Sequence, residues 1–158
     1  MPWLKTIAIT INLMNVYGKS ASKSYTNISL ESLVSTANPH QLITLLIEAT
    51  LVAIVKAKYH MQKQEIEEKS KAITHAVTMI DSGLRGGLDF EQGGELAKNL
   101  DELYLYMIKQ LLTGSLKNQV ELLDEVYKLL KEINEAWVTI GQNLDLPAEG
   151  ARSISTAS

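Results

Sequence analysis

The chain has no cysteine, three prolines, one phenylalanine and three histidines among 158 residues. Without cysteine there is no disulfide framework, no thiol nucleophile and no cysteine-ligated zinc or iron–sulfur site. Pro39 and Pro147 bracket 107 residues that contain no proline, which leaves room for long unbroken helices. Long apolar runs are also missing. The most apolar stretch, Leu42–Ala57, spans 16 residues and holds Glu48 and Lys56, short of the roughly 18 that a membrane-spanning helix needs. There is no excess of positive charge: 15 Lys and Arg face 18 Asp and Glu, a net charge of −3 that speaks against a domain built to grip nucleic acid.

The N-terminus lacks the features of a secretory leader, with one lysine and no compact apolar run before a small-residue cleavage site. The expectation is a cytoplasmic protein with no membrane insertion. Met1–Leu13 instead alternates in a strand-like pattern (Thr6, Ile7, Ala8, Ile9, Thr10, Ile11), and Met14 is an alternative start. Enzyme motifs are absent as well. There is no phosphate-binding glycine loop, and no histidine follows a glutamate at the third position as in di-metal bundle enzymes: His40, His60 and His75 follow Ala37, Ala57 and Ala72. No catalytic group, cofactor or metal is expected.

What remains is ordinary globular composition, 46% hydrophobic and 21% charged, enough for one packed domain. Asn38-Pro39-His40-Gln41 reads as an N-cap, a proline in the first helical position and a glutamine able to reach back to the cap. From there the periodicity predicts four helices, over about 39–62, 65–85, 92–113 and 118–140, with breaks at Lys63-Gln64, Gly86–Asp89 and Thr113–Ser115. Each would be about 33 Å long, so they can lie side by side. Short connections make neighbours antiparallel. The expected fold is all-α, an antiparallel up-down four-helix bundle with a flexible N-terminal arm or short cap helix. Residues 1–27 form the extension and arm, 28–141 the bundle, and 142–158 a disordered tail.

Three helices show one apolar stripe each: Ile66, Ile73, Val77, Ile80 and Leu84; then Leu96, Leu100, Leu103, Tyr104, Met107 and Leu111; then Leu123, Val126, Tyr127, Leu130, Ile133 and Trp137. The first helix differs. Twelve of its sixteen positions from Leu42 to Ala57 are apolar, more than one buried face consumes. Since no helix of a four-helix bundle is central, the surplus points to a partner. The preceding arm carries Tyr17, Tyr25, Lys19 and Lys23, and then turns apolar at Ile28, Leu30, Leu33 and Val34. It reads as a short amphipathic piece that folds over the bundle.

Four stretches in this order resemble the flagellar export chaperone FliS family. They are Asn38–Ile43, Gly86–Leu100 (GGLDFEQGGELAKNL), Leu103–Met107 (LYLYM) and Glu135-Ala136-Trp137, with Tyr25 matching an N-terminal tyrosine of the family. The resemblance implies a helical bundle that binds the disordered C-terminal segment of flagellin, one to one, keeping it unpolymerised and export-competent in the cytoplasm. It also implies an N-terminal segment that occupies the groove when no client is bound. Expected groove anchors are Tyr25, Ile28, Leu42, Leu45, Leu46, Ala49, Leu100, Tyr104 and Met107. Further partners would be flagellar export or regulatory proteins. One departure is Ile47-Glu48-Ala49, where many members read aromatic-Asp-Gly, which bears on client identity. The alternative is a regulatory or structural bundle of the flagellar system that binds another helical partner, self-associates, or serves a second flagellin.

Overall fold

The computed structural model describes residues 39–144, so the expectations for the arm, for Asn38 and for the tail beyond 144 lie outside the described residues, while 142–144, expected in the tail, belong to the last helix. Among the described residues there are four antiparallel helices and no strand. α1 is Pro39–Gln62; α2 is Ile66–Thr78 and runs into a π-helical segment, Met79–Arg85; α3 is Phe90–Lys117; α4 is Val120–Leu144. The connections, 63–65, 86–89 and 118–119, are too short for anything but hairpin neighbours. α1 packs chiefly on α2 and α4, and α3 on the π segment, α4 and α2, which closes a ring of four. No helix among the described residues is long and apolar enough to cross a membrane.

Each helix is started and stopped by identifiable chemistry. α1 ends where Gln64 takes a left-handed conformation (φ 59°), and the Glu65 N–H donates back to the His60 carbonyl at 2.9 Å. α2 opens with Glu67 and Glu68 against the positive end of its dipole. In the π segment the Gly86 N–H donates to the Asp81 carbonyl five residues back, at 3.0 Å. Asp89 caps α3, its Oδ1 accepting from the N–H groups of Glu91 (3.1 Å) and Gln92 (2.9 Å). Gly94 then bends the helix after one turn, at φ 53° and ψ −131°.

The structure departs from the sequence expectation at the end of α3 and at Ile66. α3 does not break at Thr113–Ser115 but runs on to Lys117, stopped by left-handed Asn118 (φ 52°). Gly114 is buried and serves close approach, because a Cβ there would overlap Leu123 Cδ1. Ile66, expected in the core stripe of the second helix, is 72% exposed, because it sits in the first turn after the α1–α2 connection, beyond the cover of its neighbours.

The core stripes otherwise hold. Ile43, Leu46, Ile47, Ile54, Ile80, Leu84, Tyr104, Met107, Leu111, Leu123 and Leu130 are fully buried. Each contributes on the order of 1.5–3 kcal/mol of apolar burial. One charge is enclosed with them. Lys69, 7% exposed, donates to the Ser115 carbonyl (2.9 Å) and Asn118 Oδ1 (2.8 Å), so a cation meets the negative end of α3.

Candidate binding surface

α1 uses both sides. Leu42, Ile43, Leu46, Ile47, Ala53, Ile54 and Ala57 face inward, with Thr50 satisfied by the Leu46 carbonyl at 2.7 Å. On the opposite side Val52, Val55 and Tyr59 are each half exposed, at the i, i+3, i+7 spacing of one helical stripe, beside partly buried Leu45 and Leu51. This is the surplus expected from composition, now placed. A second outward strip on α3 consists of Leu105, Leu112 and Leu116, the last 83% exposed.

Two of the concavities along α1 bear on its apolar faces. Between α1 and α2 lies a cleft of about 400 Å³, floored by Ala49, Ala53 and Ala72 and rimmed by Lys56, Lys71 and His75. Lys71 is held above its usual range by the Glu68 and Glu67 carboxylates, and Glu68 below its own by Lys71, so this pair on the rim is charged at neutral pH. Nearer the start of α1 is a smaller pocket of about 90 Å³, walled by Ile43, Ile47, Leu100, Tyr104, Ile133, Ala136 and Trp137, with almost no polar surface. It is too small for a cofactor or drug-sized ligand and has room for a single side chain.

This apolar pocket lies where the first helix begins and the last one ends, and a reciprocal clasp joins them there. His40 Nε2 donates to the Trp137 carbonyl at 2.5 Å, and Trp137 Nε1 donates to the His40 carbonyl at 2.9 Å. Their rings stack at 4.7 Å between centroids, 9° from parallel. Further along the α3–α4 face, Tyr106 donates to Glu125 Oε1 at 2.6 Å, and Gln110 donates to the other carboxylate oxygen at 3.1 Å. These bonds hold the Glu125 carboxyl below its ordinary range and push the Tyr106 phenol up.

The expected anchors within the described residues separate into three groups. Leu42, Leu46 and Met107 are enclosed in the bundle core, since they lie on the inward stripes of α1 and α3. Leu100 and Tyr104 are also buried, yet they wall the apolar pocket. Leu45 and Ala49 are partly buried at the edge of α1, Ala49 as floor of the α1–α2 cleft. Tyr25 and Ile28 lie outside the described residues. Sequence reasoning did not single out Val52, Val55 and Tyr59, although their angular position opposite Ile43, Ile47 and Ile54 was readable from the 3.6-residue period. Nor did it place Ile43, Ile47 and Trp137 together, which needs tertiary contact.

Comparison with known proteins places the chain among flagellar proteins. A family model described as flagellar protein FliS matches residues 21–144. The chain is 43% identical over 125 residues to the flagellar secretion chaperone FliS of Salmonella typhimurium, covering 79% of this chain and 93% of that protein. It is 45% identical over 122 residues to the flagellar secretion chaperone FliSB of Pseudomonas aeruginosa, covering 77% and 96%. It is 37% identical over 122 residues to the Escherichia coli flagellar secretion chaperone FliS, covering 77% and 90%.

Proposed function

We infer a client-holding role from one premise: the chain belongs to the FliS family of flagellar proteins. It is a flagellar secretion chaperone and not an enzyme. Its client, in our reading, is the disordered C-terminal segment of flagellin, held one to one in the cytoplasm until export. The observation that carries this is the two-sided first helix, which fills the core with one face and leaves Val52, Val55 and Tyr59 in solvent.

A flagellin terminus that polymerises by helix packing must have its apolar face covered. A groove-and-stripe surface does so by the helix-in-groove mode, with ordering entropy opposing burial and so permitting release. The apolar pocket would take one anchor side chain, and the α1 stripe the turns beyond it. The second reading, self-association, is favoured by the exposed α3 strip of Leu105, Leu112 and Leu116, whose spacings of seven and four suit a helical seam.

Light-scattering mass measurement separates the two. The chaperone reading predicts a discrete 1:1 complex with the flagellin segment and a client-free mass independent of concentration. A client-free mass that grows with concentration, with no shift on adding the segment, would replace it with the second reading.

A further inference from the structure

We propose that His40 is a positioning residue: it sets Trp137 as a wall of the apolar pocket and thereby tunes client affinity without belonging to the pocket itself. This inference rests on the client-binding reading above. Trp137 has two jobs in the structure. It closes the pocket alongside Ile133, Ala136, Ile43 and Leu100, and it is stacked on the His40 imidazole. The residue is 5% exposed, so its placement is decided by neighbours and not by solvent.

His40 contacts Trp137 in three ways, two through its ring and one through its main-chain carbonyl. Its Nε2–H bonds the Trp137 carbonyl, its own carbonyl receives the indole N–H, and its ring covers the indole at 4.7 Å. The imidazole is itself wedged. Gly141, one turn beyond Trp137 on α4, leaves the space it occupies; a Cβ at 141 would overlap the imidazole Cε1 and lie 2.7 Å from both ring nitrogens. Trp137 therefore stands beside a ring that has nowhere to retreat. His40 is absent from the pocket lining, and its ring reaches the pocket wall through Trp137. The arrangement also gives a common purpose to two stretches distant in sequence, Pro39–Ile43 and Glu135–Trp137, which lie 97 residues apart at the His40–Trp137 pair.

The test uses the full chain with Trp3→Phe, leaving Trp137 as the only tryptophan. Acrylamide quenching of the client-free protein reads whether the indole is still held; titration with the flagellin C-terminal segment reads the consequence. His40→Ala is expected to raise the quenching constant about threefold and weaken the segment about tenfold, with the helical circular dichroism kept. His40→Gln, which retains an amide donor within reach of the Trp137 carbonyl, is expected to recover part of both losses; should His40→Ala fail to fold, this variant carries the test. A Trp137 as shielded in the His40 variants as in the parent overturns the proposal. Segment binding unchanged despite a loosened indole overturns it too. If the parent protein binds no segment, the client reading fails while the quenching comparison still decides whether His40 holds Trp137.

Discussion

A methyl group at position 141 would collide with an imidazole that is stacked on one side and hydrogen-bonded at its far nitrogen. Gly→Ala inside a helix ordinarily stabilises by about 0.5–1 kcal/mol. Here the sign is expected to reverse: Gly141→Ala should cost roughly 1–3 kcal/mol, the range for overpacking, as a lowered unfolding midpoint in denaturant. A gain in stability would show that His40 moves aside freely. Tyr106 supplies a second test at this scale. Its hydroxyl is the principal cause of the depressed Glu125 carboxyl. Tyr106→Phe should move the Glu125 titration midpoint, followed by carboxyl NMR, up toward the ordinary glutamate value. A carboxylate with a depressed folded pKa contributes stability that is present above its unfolded pKa and lost as pH falls through the folded one. The variant should therefore lose the small acid-side pH dependence that this contact gives, and match the parent only once Glu125 is protonated in both.

At the scale of the element, α3 is held near both ends by single residues. Gly94 adopts φ 53° and ψ −131°, a region open to glycine and strained for other residues, and a Cβ there would meet nothing within 4 Å, so Gly94→Ala should cost the backbone strain alone, about 1–3 kcal/mol, visible in thermal unfolding. Lys69 closes the other end by reaching from α2 to the Ser115 carbonyl and Asn118. Lys69→Met keeps the buried stem but removes both donors, and is expected to lower stability by roughly 1–3 kcal/mol and to speed amide exchange in the last turn of α3. Exchange that rises equally in every helix would mean that Lys69 supports the whole core and not this end. These ends also mark what the sequence could reveal. The start of α3 was expected at about 92 and lies at Phe90; Asp89, an acidic side chain just before the helical pattern, carried a capping signal that the periodicity alone did not use. The end of α3 was not legible, because Gly114 looks the same whether it breaks a helix or admits a neighbour, and only the presence of Leu123 tells which. The π segment, Met79–Arg85, was not anticipated, since the apolar stripe of Val77, Ile80 and Leu84 reads as an ordinary helix.

For the whole molecule, the four-helix bundle was readable from three single-stripe helices, and an apolar surplus was readable on the first. What could not be read was which side of α1 turns outward. Leu46 and Val55 are equally apolar in the sequence, and only the positions of α2 and α4 make one core and the other surface. The described candidate anchors are consequently split between core, pocket wall and the edge of α1, while the exposed apolar stripe is made of Val52, Val55 and Tyr59. The most direct test is a calorimetric titration of the full chain with the C-terminal segment of its own flagellin. The predicted result is saturable 1:1 binding with a negative heat-capacity change, weakened at least tenfold in Val52→Asp/Val55→Asp while the helical fold is retained. No binding at about 100 μM protein, or undiminished binding by that double variant, would contradict it.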